Sequence, residues 1–332
     1  MEHKKNYLTS VTLIRGIAAL AVSLFHFTKG FISKAPVADA LMPYAWIGVE
    51  IFFVISGFVI PYMLLGKPFK TKHYGGYLLK RIIRIEPAYL ASIALILLLN
   101  YISSLFSAYQ GAPFSISGYN LMLHLGYLVD FFDGTWLNPV YWTLAIEFQY
   151  YLLIGFLLII WNKNNNFWTV ITLLAFFALS FWPQDDIKFF RNTDIFTIGI
   201  ICAFYKKEYI DKLYFLIFVA IVGFAIYLHH SYVIVILSVG ASLGIAFLDK
   251  IRDFKWLLFF GNISYSLYLL HIPIGGRVIN IGRRFDLNFQ LKLAIILMAF
   301  VVSIFAAWIF YICIEKPSHK WSRRISLNIK KD

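Results

Sequence analysis

Long apolar segments recur along the whole 332-residue chain, and they constrain its fold more than any other feature. A helix needs about 20 apolar residues to cross the roughly 30 Å hydrocarbon core of a bilayer. Because that core holds no water, backbone polar groups must bond within the protein, which favours helices. The sequence therefore predicts an all-α, polytopic membrane helical bundle of about ten transmembrane helices. We place them at 11–28, 46–65, 87–106, 140–161, 167–182, 189–205, 213–229, 231–248, 256–274 and 291–314.

Nothing in the sequence separates a soluble domain from these segments. Hydrophobic residues make up 60% of the chain and charged residues only 14%, a composition typical of polytopic membrane proteins. We therefore predict a single transmembrane domain over residues 1–332, with its last helix at about 291–314 and a basic cytoplasmic tail at 316–332. The apolar segment 119–132 is too short to cross a bilayer and is predicted to be re-entrant or interfacial.

The net charge of +13 at pH 7 is distributed as the positive-inside rule requires. Most Lys and Arg residues fall in alternate loops and near the chain ends, whereas the stretch from Ser107 to Val140 contains none. We therefore predict that both termini are cytoplasmic and that the protein is integral to the cytoplasmic (plasma) membrane, as a multi-pass protein. The basic charge then contacts lipid headgroups, and no nucleic-acid partner is expected.

An arginine and a histidine, Arg15 and His26, lie eleven residues apart in the first apolar segment. Eleven residues make about three helical turns, so the two side chains share one face, about 16 Å apart along the axis. The residues between them on that face, Ala18, Ala19 and Val22, are small. Ionisable side chains are costly in a bilayer and usually face a protein interior or a watery cavity. This helix is therefore predicted to carry a cation at one depth and a titratable base at another.

The predicted topology sorts the polar residues of the other segments by depth. His26, Glu50, Glu147 and His271 fall towards the outer leaflet. A buried imidazole can take a proton from a hydroxyl, and a carboxylate can orient that imidazole. The outer cluster therefore has the parts of an acid–base site. Tyr268, three residues before His271, is predicted to line the same polar cavity.

Two arginines, Arg81 and Arg84, point the same way on a helical turn at the opposite depth. The guanidinium fork binds phosphate oxygens better than the lysine ammonium does. This patch predicts a phosphate-bearing cofactor at the cytoplasmic mouth, with an arm that runs along the first helix towards His26. No zinc spacing such as HExxH occurs in the sequence, and no metal is expected.

Each of these residues also has a purely structural interpretation. His271 and Glu50 suit hydrogen-bond partners inside a bundle, whereas Arg81 and Arg84 suit anchors to lipid headgroups. The remaining histidines lie near predicted loops or interfaces and are predicted to be non-catalytic. They are His3, His73, His124, His229, His230 and His319.

Six sequence blocks follow one another between Leu13 and Pro317. They read LIRGIAALAVSLFH, WIGVEIFFVISGFVI, KRIIRIEP, YWTLAIEFQYYL, GNISYSLYLLH and IEKP. In content and order they resemble the acyltransferase-3 family of integral membrane acyltransferases. The first block matches the family's Arg-x10-His pattern, and the third resembles its Arg-x-x-Arg-Ile-x-Pro. Glu50 stands where aspartate is common in the family, and Phe148 stands where a second acid is frequent.

The resemblance implies an O-acyltransferase that moves an acyl group, usually acetyl from acetyl-CoA, to a hydroxyl of a cell-surface or exported glycan. It implies that His26 is the essential base and that Glu147 supports the site. Three arginines are implied to serve the acyl-CoA: Arg15, Arg81 and Arg84. Residues expected to bind substrate or to support the site are Glu50, Trp142, Tyr268 and His271. The expected partners are a glycan or lipid-linked glycan acceptor, membrane lipids and glycan-synthesis proteins.

Two mechanisms and a rival function stay open at this point. His26 either deprotonates the acceptor hydroxyl directly or first accepts the acyl group itself. A transporter or flippase of a glycan, lipid or small anion also fits a helical bundle with buried charges. The sequence leaves open the identity of the acceptor, the length of the acyl chain and the oligomeric state.

Overall fold

The computed structural model of the chain describes residues 2–32, 48–106, 114–163, 165–183, 188–248, 255–327 and 329. Every regular element within these ranges is a helix, so the predicted all-α class is confirmed. Three parts of the sequence analysis lie outside the described residues: the first two positions of the predicted span 46–65, the side chain of His3, and positions 328 and 330–332 of the basic tail.

Fourteen α-helices and two π-turns follow one another along the described chain. The α-helices are α1 (Glu2–Thr28), α2 (Gly48–Leu64), α3 (Tyr74–Ser104), α4 (Gly118–Leu125), α5 (Tyr141–Trp161), α6 (Asn166–Ala178), α7 (Lys188–Arg191), α8 (Thr193–Lys206), α9 (Lys212–His229), α10 (Tyr232–Phe247), α11 (Lys255–Leu270), α12 (Gly276–Gly282), α13 (Phe289–Phe310) and α14 (Lys316–Arg324). The π-turns His271–Gly275 and Tyr311–Glu315 join α11 to α12 and α13 to α14.

Six described segments are long and apolar enough to cross a membrane, by length and composition alone. They are Thr9–Thr28, Thr71–Ser104, Tyr141–Trp161, Lys212–His229, Trp256–Gly282 and Phe289–Arg324. Three further apolar helices are shorter: Gly48–Leu64, Asn166–Phe181 and Tyr232–Phe247. The predicted span 189–205 coincides with α8, which is buried from Thr193 to Phe204 and so faces protein on all sides. Candidate membrane-spanning helices are thus present, whereas their number of about ten stays a prediction.

Helices α1 and α11 run side by side in the same direction. Halfway along α1 and near the start of α11 the backbones touch, because a Cβ added to Gly16 would come within 2.8 Å of the Gly261 nitrogen. Near their ends the rings of His26 and His271 lie 5.1 Å apart, centroid to centroid. Both helices rise by about 1.5 Å per residue. Each residue of α1 along this contact therefore lies at the same height as the α11 residue whose number is 245 higher.

Helix α3 runs in the same direction as α11. The Tyr265 hydroxyl donates to the carbonyl of Ile85 at 3.3 Å, and further along the guanidinium of Arg277 donates to Asn100 at 2.7 Å. Both contacts follow the same order along the two segments, which fixes their relative direction.

The shared direction of α1, α3 and α11 gives the bundle two chemically different ends. Arg81 and Arg84, in the first three turns of α3, mark what we call the basic end. His26 and His271, where α1 and α11 finish, mark what we call the histidine end.

Helices α2 and α8 cross in the centre of the bundle at backbone contact. A Cβ added to Gly199 would come within 2.1 Å of the Val54 carbonyl oxygen, and one added to Gly57 within 2.3 Å of the Phe196 carbonyl oxygen. These glycines therefore set the distance between the two helices, since any side chain would force them apart.

We expect Gly199→Ala to destabilise the bundle by about 1–3 kcal/mol or more, because the added methyl group collides with backbone rather than with a movable side chain. Thermal unfolding of the detergent-purified protein, followed by size-exclusion chromatography, measures this. The matched control is Gly240→Ala on α10, where a new Cβ meets nothing within 4 Å. An unchanged midpoint for Gly199→Ala would show that the α2–α8 crossing is looser than described.

Candidate functional site

Three arginines gather at the basic end of the bundle. Arg84 on α3 interacts electrostatically with Arg81, one turn earlier, and with Arg15 on α1. The guanidinium carbon of Arg81 lies 5.7 Å from the ring centroids of both Tyr77 and Tyr151, and such stacking orients the guanidinium plane. All three arginines keep part of their surface exposed. The structure thus brings these arginines together in one cationic patch.

A buried carboxylate, Glu315, lies beside this cationic patch at the end of the second π-turn. Its Oε2 accepts hydrogen bonds from the backbone N–H of Ser266, at 3.1 Å, and from the Ser266 hydroxyl. Its Oε1 lies 3.6 Å from Nε2 of His319. The carboxylate also interacts electrostatically with two of the patch arginines. Glu315 therefore connects α11 and the C-terminal segment to the cationic patch.

The C-terminal helix α14 docks on α3 at the basic end. The Ser322 hydroxyl donates to the carbonyl of Lys80 at 2.8 Å, and the Lys80 ammonium donates to the carbonyl of Ile325 at 3.3 Å. Arg323 on α14 interacts electrostatically with Lys80 and His319. The docked helix thus adds positive charge beside the cationic patch.

Positive charge exceeds negative charge in the cationic patch. No described carboxylate lies within the 4.0 Å ion-pair distance of Arg15, Arg81 or Arg84. Like charges held close together repel one another, and the repulsion is strong where water is scarce. Partly exposed guanidinium groups in this state are well suited to bind the oxygens of a phosphate.

Polar side chains follow one another between the two ends, through the interior of the bundle. The hydroxyls of Tyr151 and Ser56 both donate to Oε1 of Glu147. One turn earlier on α5, the Thr143 hydroxyl shares a hydrogen bond of 2.7 Å with the Tyr268 hydroxyl on α11. We call the whole series the polar file: Arg81, Tyr151, Glu147, Thr143, Tyr268, His271 and His26.

Two histidines face each other at the histidine end. The ring planes of His26 and His271 are inclined by 48°, and the Tyr268 ring lies 6.0 Å from that of His271. His271 is fully buried, whereas His26 is partly exposed. A partly exposed imidazole, backed by a second imidazole, is suited to take up and return a proton.

His271 begins the first π-turn, where the helix holds an extra residue. Pro273 in this turn has no backbone N–H and leaves a carbonyl of the preceding turn without its helical donor. The side-chain amide of Asn138 donates to the carbonyl of Leu269, in that preceding turn, at 3.0 Å. The loop before α5 is therefore fastened to the turn that carries His271.

The structure does not bring Glu147 beside His26. No hydrogen bond or ion pair joins these two described residues, and Glu147 instead bonds Ser56 and Tyr151. Ser56 lies about two turns into α2, so the carboxylate is held in the middle of the bundle. The outer cluster expected from the sequence therefore contains His26 and His271, with Glu147 displaced towards the basic end.

The two remaining candidates lie near the histidine end. Glu50 is buried in the first turn of α2, and its Oε2 has no hydrogen-bond partner. It interacts electrostatically with Arg191 and Tyr268. The ring of Trp142 receives the ammonium of Lys188 at 5.9 Å from its centroid. Glu50 thus belongs to the surroundings of Tyr268, and Trp142 faces Lys188 at the start of α7.

Small residues pack the face of α1 that the sequence assigned to a cofactor arm. Ala18, Ala19 and Val22 are at most 1% exposed. A Cβ added to Gly48 of α2 would come within 2.6 Å of a Val22 methyl group, so α2 closes this face. The expected route along α1 is filled by protein, and the side chains that join the two ends lie on α5 and α11 instead.

Several residues of the site escaped the sequence analysis. Neither Glu315 nor His319 carries a predicted role in the site, although their spacing of four residues puts them on one helical face. Asn138, Ser56 and Tyr265 contribute through contacts between distant segments, which no local pattern signals. Within the described residues, no group of three or more His, Cys, Asp or Glu side chains is placed to hold a metal ion.

A cap segment, residues 118–137, covers the histidine end next to α3 and α5. Its centre is His124, whose Nδ1 lies 2.8 Å from the Asn120 carbonyl oxygen and whose Nε2 accepts the N–H of Leu137 at 3.0 Å. The Tyr89 hydroxyl on α3 donates to the His124 carbonyl at 3.2 Å. Because a carbonyl only accepts, Nδ1 carries the proton and the ring is neutral. Burial lowers the pKa of His124 below its usual range.

Comparison with known proteins supplies a family. The family model described as an acyltransferase domain, acyltransferase-3, matches residues 8–312. O-acetyltransferase OatA of Staphylococcus aureus is 25% identical over 96% of this chain and 58% of its own length. Peptidoglycan O-acetyltransferase OatA of Listeria monocytogenes is 27% identical over 82% of this chain and 50% of its own length. The chain thus spans little more than half the length of these curated relatives. No solved structure matches it.

We expect the cap segment to lose order as the pH falls below about 6.5, the ordinary pKa of histidine. The unfolded cap segment takes up a proton on His124 at that pH, whereas the folded one does not, so the stability present at higher pH is lost. Protonation also removes the acceptor of the Leu137 N–H. Hydrogen–deuterium exchange of peptides from 118–137, corrected for intrinsic rates, measures this at about pH 7.5 and about pH 5.5. Peptides from α9 serve as the control, and equal protection of 118–137 at both values would contradict the assignment.

Proposed function

Because the chain belongs to the acyltransferase-3 family, we propose that it is a membrane O-acyltransferase that moves an acyl group from acyl-CoA to a hydroxyl of a cell-surface or exported glycan. Acetyl is the proposed acyl group because the similar proteins are named O-acetyltransferases. Peptidoglycan is the first acceptor to test because one of them is named a peptidoglycan O-acetyltransferase. The cationic patch is the observation that carries the donor half of this proposal.

The proposed topology puts the basic end at the cytoplasmic face of the cytoplasmic membrane. Lys80, Arg323 and Arg324 lie at this end together with the patch arginines, as the positive-inside rule favours. About ten helices would then cross or enter the bilayer, with both termini in the cytoplasm. The histidine end would face outward, where an exported glycan is found.

The cationic patch fits the phosphates of an acyl-CoA donor. Arg15, Arg81 and Arg84 hold more positive charge than the described carboxylates balance within ion-pair distance. Stacking on Tyr77 and Tyr151 presents the Arg81 guanidinium in a defined plane. Paired hydrogen bonds from such groups to phosphate oxygens are stronger than neutral ones. These arginines would anchor the donor by its phosphates and leave its thioester free to reach along the polar file.

At the histidine end, His26 would act as the base. It takes the proton of the acceptor hydroxyl, whose oxygen bonds to the acyl carbon. The carbon–sulfur bond breaks, and His26 returns the proton to the leaving thiolate. In the alternative relay, His26 first carries the acyl group and then passes it to the acceptor. The partial exposure of His26 beside the buried His271 supports both versions.

In this proposal Glu147 does not act together with the base His26. It holds the hydroxyls of Ser56 and Tyr151 midway between the two ends. We propose that it supports the passage for the acyl group rather than orienting His26. Residues that would shape the acceptor side of the site are Glu50, Trp142, Tyr268 and His271.

We expect His26→Ala to lower acyl transfer by at least about 100-fold, the usual contribution of a positioned base. The assay measures radiolabelled acetyl groups passed from acetyl-CoA to the cell-wall glycan by membranes that contain the protein, released as acetate by mild base. Stabilisation of the purified variant by CoA against thermal unfolding should stay at the parental level, because His26 lies about 16 Å from the cationic patch. Undiminished esterification in this variant would refute the proposal.

We expect the double variant Arg81→Gln, Arg84→Gln to lose stabilisation by CoA, since each lost charge-assisted hydrogen bond costs about 1.5–3 kcal/mol. The measurement is the shift of the unfolding midpoint with increasing CoA, compared with the parent protein. Lys163→Gln is the matched control, because this exposed cation lies at the same end after α5. An equal shift in the double variant would show that the donor binds elsewhere, and a carrier function would then need testing.

A further inference from the structure

We propose that His271 is a positioning residue for His26. Its Nε2 accepts the N–H of one His26 nitrogen, so that the other His26 nitrogen presents a lone pair to the acceptor hydroxyl. This inference rests on the proposed function, in which His26 is the base.

The tautomer of His271 is fixed by its own helix. Its Nδ1 lies 2.8 Å from the Tyr268 carbonyl oxygen and 3.1 Å from the Leu267 carbonyl oxygen. Both oxygens can only accept, so Nδ1 carries the ring proton. In the neutral ring Nε2 is then an acceptor that cannot donate.

The acceptor at Nε2 is buried and without a partner. His271 is 0% exposed, and its Nε2 makes no hydrogen bond in the described structure. Buried polar atoms are nearly always paired, so an orphan of this kind marks a place where a hydrogen-bond donor is missing. It lies in a π-turn, a distortion that is frequent at functional sites.

The ring of His26, which makes no hydrogen bond to His271 in the described structure, is close enough to supply that donor. Its centroid is 5.1 Å from that of His271, which allows a nitrogen of one ring to hydrogen-bond a nitrogen of the other. The Tyr268 hydroxyl is already engaged with Thr143 and the Val140 carbonyl. Phe27, whose ring lies 6.2 Å away, has no donor. Ser303 carries a buried hydroxyl without a partner and is the rival donor.

The bond between the two rings would act at the moment of reaction. When His26 takes the hydroxyl proton it becomes an imidazolium, and its other N–H donates more strongly to the neutral Nε2 of His271. His26 then gives that proton to the thiolate, and His271 ends the cycle with the proton it began with. His271 thus orients and stabilises His26 without touching the reacting atoms.

Two substitutions separate this role from a structural one. In His271→Asn the side-chain amide can still donate to the Leu267 and Tyr268 carbonyls, but nothing reaches the position of Nε2. In His271→Gln the amide oxygen reaches that position, although the local donor is lost. We expect the Asn variant to lose about 100-fold in kcat, with KM for acetyl-CoA unchanged within about two-fold. The Gln variant should stay within about ten-fold of the parent.

A structural role predicts the opposite order, so an Asn variant at least as active as the Gln variant overturns the inference. If the Asn variant does not fold, the folded Gln variant tests the inference. Activity of the Gln variant as low as that of His26→Ala would also overturn it. Ser303→Ala tests the rival donor, and a loss matching that of His271→Asn would assign Nε2 to Ser303 instead. Stabilisation by CoA should stay at the parental level in all three variants.

The failure of this inference and the failure of the proposed function look different. An inactive His26→Ala beside a fully active His271→Asn removes only the positioning role. An active His26→Ala removes the base itself, and with it the premise on which His271 was argued.

Discussion

A polar group inside an apolar bundle must find its partner within the protein, and this constraint organises the structure. Glu147 meets it with hydroxyls from α2 and α5, and Glu315 meets it at Oε2 with both donors of Ser266 on α11. His271 meets it on one side only, through carbonyls of its own helix. Buried polar residues therefore bind helices to one another and also mark where a partner is still missing.

The parallel contact between α1 and α11 gives these polar groups a common frame. Because the helices touch at backbone distance near Gly16 and Gly261, neither can slide along the other without a collision. The frame keeps two imidazoles face to face at one end while the arginines gather at the other. Such a rigid separation of the cationic patch from the two imidazoles suits the proposed acyl-CoA donor, whose phosphates and reactive carbonyl lie far apart in the same molecule.

Local patterns in the sequence were enough to predict the helices and to place Arg15 and His26 on one face of α1. Apolar length predicts a helix because it depends only on the segment itself, and the eleven-residue spacing of Arg15 and His26 is a property of one helix. The depth of Glu147 was less accessible, because it depends on where α5 starts relative to Ser56 on another helix. The roles of Asn138 and His319 depend on contacts with other helices, and neither π-turn leaves a periodic signal.

The two π-turns have a consequence for how related sequences are compared. A single surplus residue rotates everything after it by about 100°. Past the first turn, Arg277 is aimed at Asn100, and past the second, Ser322 is aimed at the Lys80 carbonyl. A one-residue gap aligned at 271–275 or at 311–315 therefore changes the direction in which the later side chains point, and not only the length of the chain. Homologues that differ there should be expected to hold their C-terminal segments against different neighbours.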